Sequence, residues 1–205
     1  VLKYENDELV GNVAKFISEE EKAALVKSHA LKHGDVLFIG SGEWETCCNA
    51  VGALRLQLAK DFDMIPEGVF KYAWVVDFPM FEMDEEDNLV ARHHPFTAPK
   101  SEDIDKLDTD PLGVIAEAYD LVLNGFEIAG GSMRIYDQSL QEKMFSLIGF
   151  TDEQIEKRFG FFIEAFKYGT PPHGGIAFGL DRFAMVLTES DSIRDVIAFP
   201  KNASA

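Results

Sequence analysis

Apolar positions recur at helical spacing in some stretches of this chain and alternate or run together in others. Ser18-Glu19-Glu20-Glu21 has the S-x-x-E capping pattern and predicts a helix to about residue 33, where Gly34 stops it. "DVLFIGSG" reads as a strand entering a glycine turn, and residues 46–60 as a second helix with Val51, Leu54 and Leu58 on one face. Pro66 and Gly68 then break the pattern, so a small α+β unit is expected to end there.

Beyond that break, residues 69–82, "VFKYAWVVDFPMFE", have the aromatic and β-branched content of a long strand. "DEEDN" is a polar turn into a short strand, "LVARHH", so the two predict an antiparallel hairpin. Residues 97–110 are polar and read as a surface loop, and residues 111–124 as a helix ended by Gly125. "FEIAGGSMRIY" alternates around two glycines and predicts a strand, and Thr151-Asp152-Glu153-Gln154 caps a helix to about residue 168. Gly175-Ile176-Ala177-Phe178 reads as a short buried strand, followed by a helix over 180–188 whose apolar face is Leu180, Phe183, Ala184 and Leu187.

The 205 residues, 46% of them hydrophobic, suffice for one large domain or one medium and one small. No stretch approaches the roughly 18 consecutive apolar residues of a membrane span, and "VLKYENDELV" is unlike a signal peptide, so a soluble, cytoplasmic protein without membrane contact is expected. Lys and Arg total 19 against 36 Asp and Glu, a formal charge of −17 that repels polyanions at long range. Any phosphorylated ligand must therefore be held by a few local arginines. Cys47 and Cys48 are sequence neighbours, which suits neither an unstrained disulfide nor a metal site, and both are expected to be reduced. No dinucleotide or P-loop glycine fingerprint occurs, so a nucleotide would need another scaffold, such as an antiparallel sheet.

Candidate chemistry gathers late in the chain. Arg182 falls in a first helical turn, where the macrodipole disfavours a cation unless an anion lies between it and the free N–H groups. The competing reading is an ordinary ion pair with Asp181 or Asp195. Glu127 and Arg134 are seven positions apart and face opposite sides of an unbroken strand, unless Gly130-Gly131 forms a bulge that resets the phase. Otherwise they are two solvent-facing charges. His93 and His94 precede Pro95 at a strand end; adjacent strand residues point to opposite faces, so the two imidazoles cannot share a pocket unless the strand is irregular, and a two-histidine metal site is disfavoured.

"GIAFGLDR" resembles the third signature motif of class II aminoacyl-tRNA synthetases. Together "ARHHPFT", "NGFEIAGGSMRI", "KYGTPPHGGIAFGLDR" and "SIRDVIAFPK" resemble the bacterial-type aspartyl-tRNA synthetase family, in order and at matching intervals. Residues 67–205 are thereby expected to be the later part of the catalytic domain, and residues 1–66 part of the GAD insertion domain. The implied fold is α+β, an antiparallel sheet flanked by helices. The implied reaction joins L-aspartate and ATP into aspartyl-adenylate and then charges tRNA.

Carried over by position, the resemblance implies that Arg182 binds the ATP phosphates, with Gly179, Leu180 and Asp181 as the adjoining nucleotide wall. Glu127 faces ATP and its Mg²⁺, Arg134 takes the aspartate side-chain carboxylate, and His93 lines the amino-acid pocket. Arg182 and Glu127 are the expected catalytic pair. Ala129 stands where the family often has glycine. Motifs 1 and 2 and the anticodon-binding domain are not recognisable, and the family's homodimer interface goes with motif 1, so little activity is expected of these residues alone. The alternative is a noncatalytic tRNA-binding or regulatory module, since GAD-type domains also occur in tRNA-dependent amidotransferase subunits.

Overall fold

The computed structural model describes residues 1–201. The chain divides into two compact units, Val1–Val69 and Phe70–Ala205. In the first, β1 (Leu2–Glu5) and β2 (Glu8–Val10) form a hairpin across Asn6-Asp7, whose positive φ values of 51° and 64° suit the tightest hairpin turns. Helix α1 (Glu19–Ser28) starts on the expected capping box: the Ser18 hydroxyl accepts from the Glu21 N–H at 3.2 Å, and the Glu21 carboxylate accepts from the Ser18 N–H at 2.8 Å. It stops well before residue 33, because Ala30 takes a left-handed φ of 48° and the Leu31 N–H closes on the Val26 carbonyl.

Strand β3 (Val36–Leu37) completes a sheet of order β2-β1-β3, and α2 (Trp44–Asp61) follows with free thiols at Cys47 and Cys48. Leu2 and Leu9 are the buried apolar side chains here; Leu54 and Leu58 are half-buried and Val51 is exposed.

In the second unit the expected long strand is divided. β4 (Tyr72–Val75) ends before Asp77, which takes a left-handed φ of 63°, and Pro79, without an N–H, precedes β5 (Phe81–Met83). β5 pairs with β6 (Leu89–Ala91) as the expected hairpin, and Asp84 holds the turn by accepting from the Glu86 and Asn88 N–H groups at 2.9 and 2.8 Å.

The helix expected over residues 111–124 does not form. Pro111–Gly113 makes one 3₁₀ turn, and Ala118–Leu123 is strand β7, joined to β8 (Phe126–Met133) across Asn124-Gly125. Their φ values of 50° and 87° are those of a two-residue hairpin turn, so Gly125 turns a strand where it was expected to stop a helix. Nor are residues 97–110 a surface loop: Thr97, Asp103 and Leu107 are buried, and Ser101–Asp108 coil as 3₁₀ helix. Asp103 fixes that coil by accepting from the Ile115 N–H at 2.9 Å while pairing with Lys106 at 2.6 Å.

The resulting sheet is fully antiparallel, in the order β4-β7-β8-β9, with β9 spanning Gly174–Phe178. The β8–β9 approach requires glycine, since a Cβ at Gly131 would collide with the Gly175 carbonyl oxygen and the Tyr119 ring. β9 is an edge strand with all five residues exposed, not the buried strand expected.

Helices α3 (Gln138–Leu147) and α4 (Asp152–Phe166) enclose an aromatic cluster in which Phe145 stacks on Phe159 at 4.8 Å and Phe96 sits edge-on to Phe162 at 4.8 Å. Met144 belongs to the adjoining core with Phe81, Leu107, Val114 and Ile135. A second core joins Leu123 and Ile128 of the sheet to Met185 and Val186 of α5 (Leu180–Leu187). Its buried face thus differs from the expected one, and Leu180 and Leu187 are exposed. Among the described residues, no helix is long and apolar enough to cross a membrane.

Candidate functional site

Strand β8 supplies the floor of the site. Its register against β7 shifts once: Val122 pairs with Glu127 and Leu121 with Ala129, which leaves Ile128 as the extra residue of a bulge. The bulge lies at Ile128 and not at Gly130-Gly131, the one place where the sequence reading allowed for it. Its effect on phase is the same. Past Ile128 the alternation is reset, so Glu127, Gly130, Ser132 and Arg134 all line one open cavity of about 560 Å³.

Both histidines line that cavity too, which opposite faces of a regular strand would forbid. The reason is local: β6 ends at Ala91, and the segment turns as the Thr97 N–H closes on the His94 carbonyl at 3.2 Å. His93 rests edge-on against Phe78 at 4.8 Å. The His94 Nδ1 accepts from the Phe96 N–H at 3.3 Å, which puts the proton of the neutral ring on Nε2, 3.4 Å from the Thr97 hydroxyl. Burial lowers the His94 pKa, and Arg134 and then His93 lower it further, so the ring is neutral at pH 7.

Asp120 of β7 is a wall residue that the sequence reading missed, because its strand was taken for helix. It is paired across the ladder with Gly130, where a Cβ would stand 2.7 Å from its Oδ1 and 3.5 Å from the Glu127 Oε1. The glycine thus leaves open the space between two carboxylates. Desolvation raises the Asp120 pKa, Glu127 raises it further, and His93 opposes both. A raised folded-state value means that the charged form weakens folding. The penalty is absent below the ordinary carboxylate pKa of about 3.9 and grows as pH rises through the raised value. Asp120→Asn is therefore expected to raise the melting temperature at pH 7 and to leave it unchanged near pH 3, which thermal melts at the two pH values would check.

Arg182 stands in the first turn of α5, as expected, but pairs with neither Asp181 nor Asp195. Its Nη1 donates to the Glu127 carbonyl at 3.0 Å and lies 3.5 Å from the Glu127 carboxylate. Both side chains of this pair are about half exposed, at 49% and 52%. Glu127, Gly179, Asp181 and Arg182 line a second, smaller hollow of about 160 Å³, which shares Glu127 and Ala177 with the larger one. Leu180 lines neither hollow and is 75% exposed.

The arrangement places two arginines, Arg134 and Arg182, and three carboxylates, Asp120, Glu127 and Asp181, around hollows that share Glu127 and Ala177, with the neutral His94 ring and the Thr97 and Ser132 hydroxyls lining the larger one. Guanidinium forks bind carboxylate or phosphate, while the facing acids admit a cation. Among the described residues, no group of three or more His, Cys, Asp or Glu is placed to hold a metal ion by itself.

Comparison with known proteins shows the family of the chain. The chain is 56% identical over all of its 205 residues to an aspartate-tRNA ligase of Halalkalibacterium halodurans, and 51% identical over the same length to an aspartate-tRNA(Asp/Asn) ligase of Anoxybacillus flavithermus. It covers 34% and 35% of those proteins, so it spans about a third of the length of the relatives it matches. Among solved structures, an aspartyl-tRNA synthetase from Entamoeba histolytica superposes with a TM-score of 0.53 at 21% identity, covering 91% of this chain and 31% of that one. An asparaginyl-tRNA synthetase from Pyrococcus horikoshii does so with a TM-score of 0.50 at 19% identity, covering 92% and 36%. These two likenesses show the fold. The family model for class II tRNA synthetases (D, K and N) matches residues 13–203, and the chain belongs to that family.

Proposed function

We propose that the unit from Phe70 onward carries the aspartate-binding and part of the ATP-binding surface of an aspartate-tRNA ligase, and that the complete protein joins L-aspartate, ATP and tRNA. The observation behind this reading is the bulge at Ile128, which brings Glu127 and Arg134 to one cavity with His93, while Arg182 reaches Glu127 from the neighbouring helix. Arg134 binds the side-chain carboxylate of aspartate through its two parallel N–H groups. His93 walls the same pocket, and His94, being neutral, adds no second positive charge beside Arg134.

Arg182 turns its guanidinium to the ATP phosphates, with Gly179 and Asp181 beside it. Asp120 joins Glu127 as the pair that would hold Mg²⁺ brought in with the nucleotide. Their fit is chemical: two carboxylates on either side of Gly130, one with its pKa raised by burial and by the other, would be relieved by a divalent cation. Bound there, Mg²⁺ supplies charge neutralisation for the phosphates. The protein's own work is positioning and electrostatics, with no side chain acting as a covalent nucleophile. The first unit is proposed to be part of a GAD-type domain on the strength of its sequence resemblance. Retention of Glu127, Arg134, His93 and Arg182 around connected hollows favours the ligase over a noncatalytic module, which has no use for such a pocket.

The test is ATP–pyrophosphate exchange by the complete protein that contains this chain. Exchange that depends on aspartate and is not supported by asparagine is expected; exchange indifferent to aspartate would overturn the reading.

A further inference from the structure

Gln141 lies on α3, away from both hollows, and is fully buried at 0% exposure. Its Nε2 donates to the Pro95 carbonyl at 2.7 Å, across 46 positions of sequence. Its Oε1 has no hydrogen-bond partner, which makes it the one buried side-chain polar atom so left among the described residues. A carbonyl oxygen can only accept, so the amide orientation is fixed by Pro95, and the orphaned oxygen cannot be relieved by a flip. An amide on the same buried helix face as Met144 and Phe145 carries a cost that a methionine of similar volume would not, because its acceptor is buried unpaired, and that cost cancels much of what its one hydrogen bond contributes to folding. The position is therefore explained by what its donor holds.

What it holds is the turn that carries the two histidines. After β6 ends at Ala91, the Arg92 N–H bonds to the Met80 carbonyl, and pairing resumes only at Phe96, whose carbonyl accepts from the Ile135 N–H. Between those points Pro95 has no N–H to offer. Its carbonyl bond to Gln141 is the link that ties the middle of the turn to a helix. Downstream, the Thr97 hydroxyl contacts His94 at 3.3 Å and donates to the Ser132 hydroxyl at 3.4 Å, so the same turn also orders the floor of the cavity. We infer that Gln141 is a positioning residue, which sets the placement of His93 and His94 in the amino-acid cavity by clamping the Pro95 carbonyl. For aspartate binding the inference rests on the ligase reading; for the placement of the imidazoles it does not.

The test is Gln141→Met in the complete protein, since methionine keeps the length and volume and removes the donor. The melting temperature is expected to stay within about 3 °C, because the lost hydrogen bond is offset by removal of the orphaned oxygen. The imidazole NMR signals of His93 and His94 are expected to shift while those of His29 and His33 in the first unit stay fixed. In pyrophosphate exchange the KM for aspartate is expected to rise about 10-fold, with the KM for ATP changed by less than about twofold. Unmoved His93 and His94 signals, or an equal rise in both KM values, would overturn the clamp. A wild-type protein without aspartate-dependent exchange would instead overturn the ligase reading, and the imidazole signals would then decide the clamp. Should Gln141→Met not fold, Gln141→Leu read by the same signals replaces it.

Discussion

Arg182→Ala in the complete protein is expected to lower pyrophosphate exchange at subsaturating ATP by about 100-fold or more, while the melting temperature moves little. The two halves of that expectation come from one geometry. Arg182 meets Glu127 in an ion pair about half open to solvent, and such pairs contribute about 0–1 kcal/mol to folding. No buried partner is orphaned when the guanidinium goes, apart from one backbone carbonyl already near water.

Its functional contribution follows different physics. A fixed donor facing developing phosphate charge accounts for roughly 100- to 1000-fold in rate at comparable sites. In a chain of charge −17 there is little general attraction for a polyanion to fall back on. Arg182→Lys is expected to recover only part of the loss, since an ammonium keeps the charge but not the fork. Steady-state kinetics together with thermal melts separate the outcomes. Equal exchange rates for wild type and Arg182→Ala would remove this residue from the nucleotide site, and a large fall in melting temperature would recast it as structural.

The parts of this fold legible in the sequence were those fixed by short-range rules. Ser18 with Glu21, and Thr151 with Gln154, both form the capping boxes that their spacing predicts, because three residues determine the geometry. The hairpin across "DEEDN" and the strand around Gly130-Gly131 are local in the same sense. Strand β7 was not legible, because its apolar run fits either period and its conformation is decided by ladders to β4 on one side and β8 on the other. Asn124-Gly125 was the available signal, a strong hairpin dipeptide that a reading of Gly125 as a helix stop discards. Helix α3 was likewise passed over, although Asp137 caps it by accepting from the Leu140 N–H at 2.9 Å.

The misread strand explains what was unclear about the site. A bulge is a mismatch between two strands, so its position in β8 is undefined until β7 is known. One strand alone offers the glycines as a place where a bulge could form, whereas the ladder puts it at Ile128. Asp120 was hidden by the same misreading, since a residue assigned to a helix is not sought opposite Gly130 on a sheet. The histidine pair reaches one cavity for a related reason. The parity rule holds within a strand, and β6 stops at Ala91 before either histidine is reached.

The second large effect is expected at Arg134. Arg134→Ala in the complete protein should raise the KM for aspartate by at least about 100-fold, because two charge-assisted hydrogen bonds of about 1.5–3 kcal/mol each are lost. Its backbone is well fixed without the side chain: the Arg134 N–H donates to the His173 carbonyl at 2.9 Å, and the residue bridges to Thr97. Truncation is therefore expected to leave the fold intact. The guanidinium stands at the meeting of two hollows, the larger one with Glu127 and His93 and another of about 280 Å³ lined by Phe96, Phe162 and His173. Aromatic walls on that second side limit how far water can replace the lost charge. Arg134→Lys keeps the sign of the charge and loses the parallel pair of donors, so an intermediate increase of about 10- to 100-fold is expected. The KM for ATP should stay near the wild-type value in both variants, which sets Arg134 apart from Arg182. If ATP and aspartate were affected equally at Arg134, the division of labour between the two arginines would be wrong, and the bulge at Ile128 would have brought Glu127 and Arg134 together for a purpose other than holding a dicarboxylate beside a nucleotide.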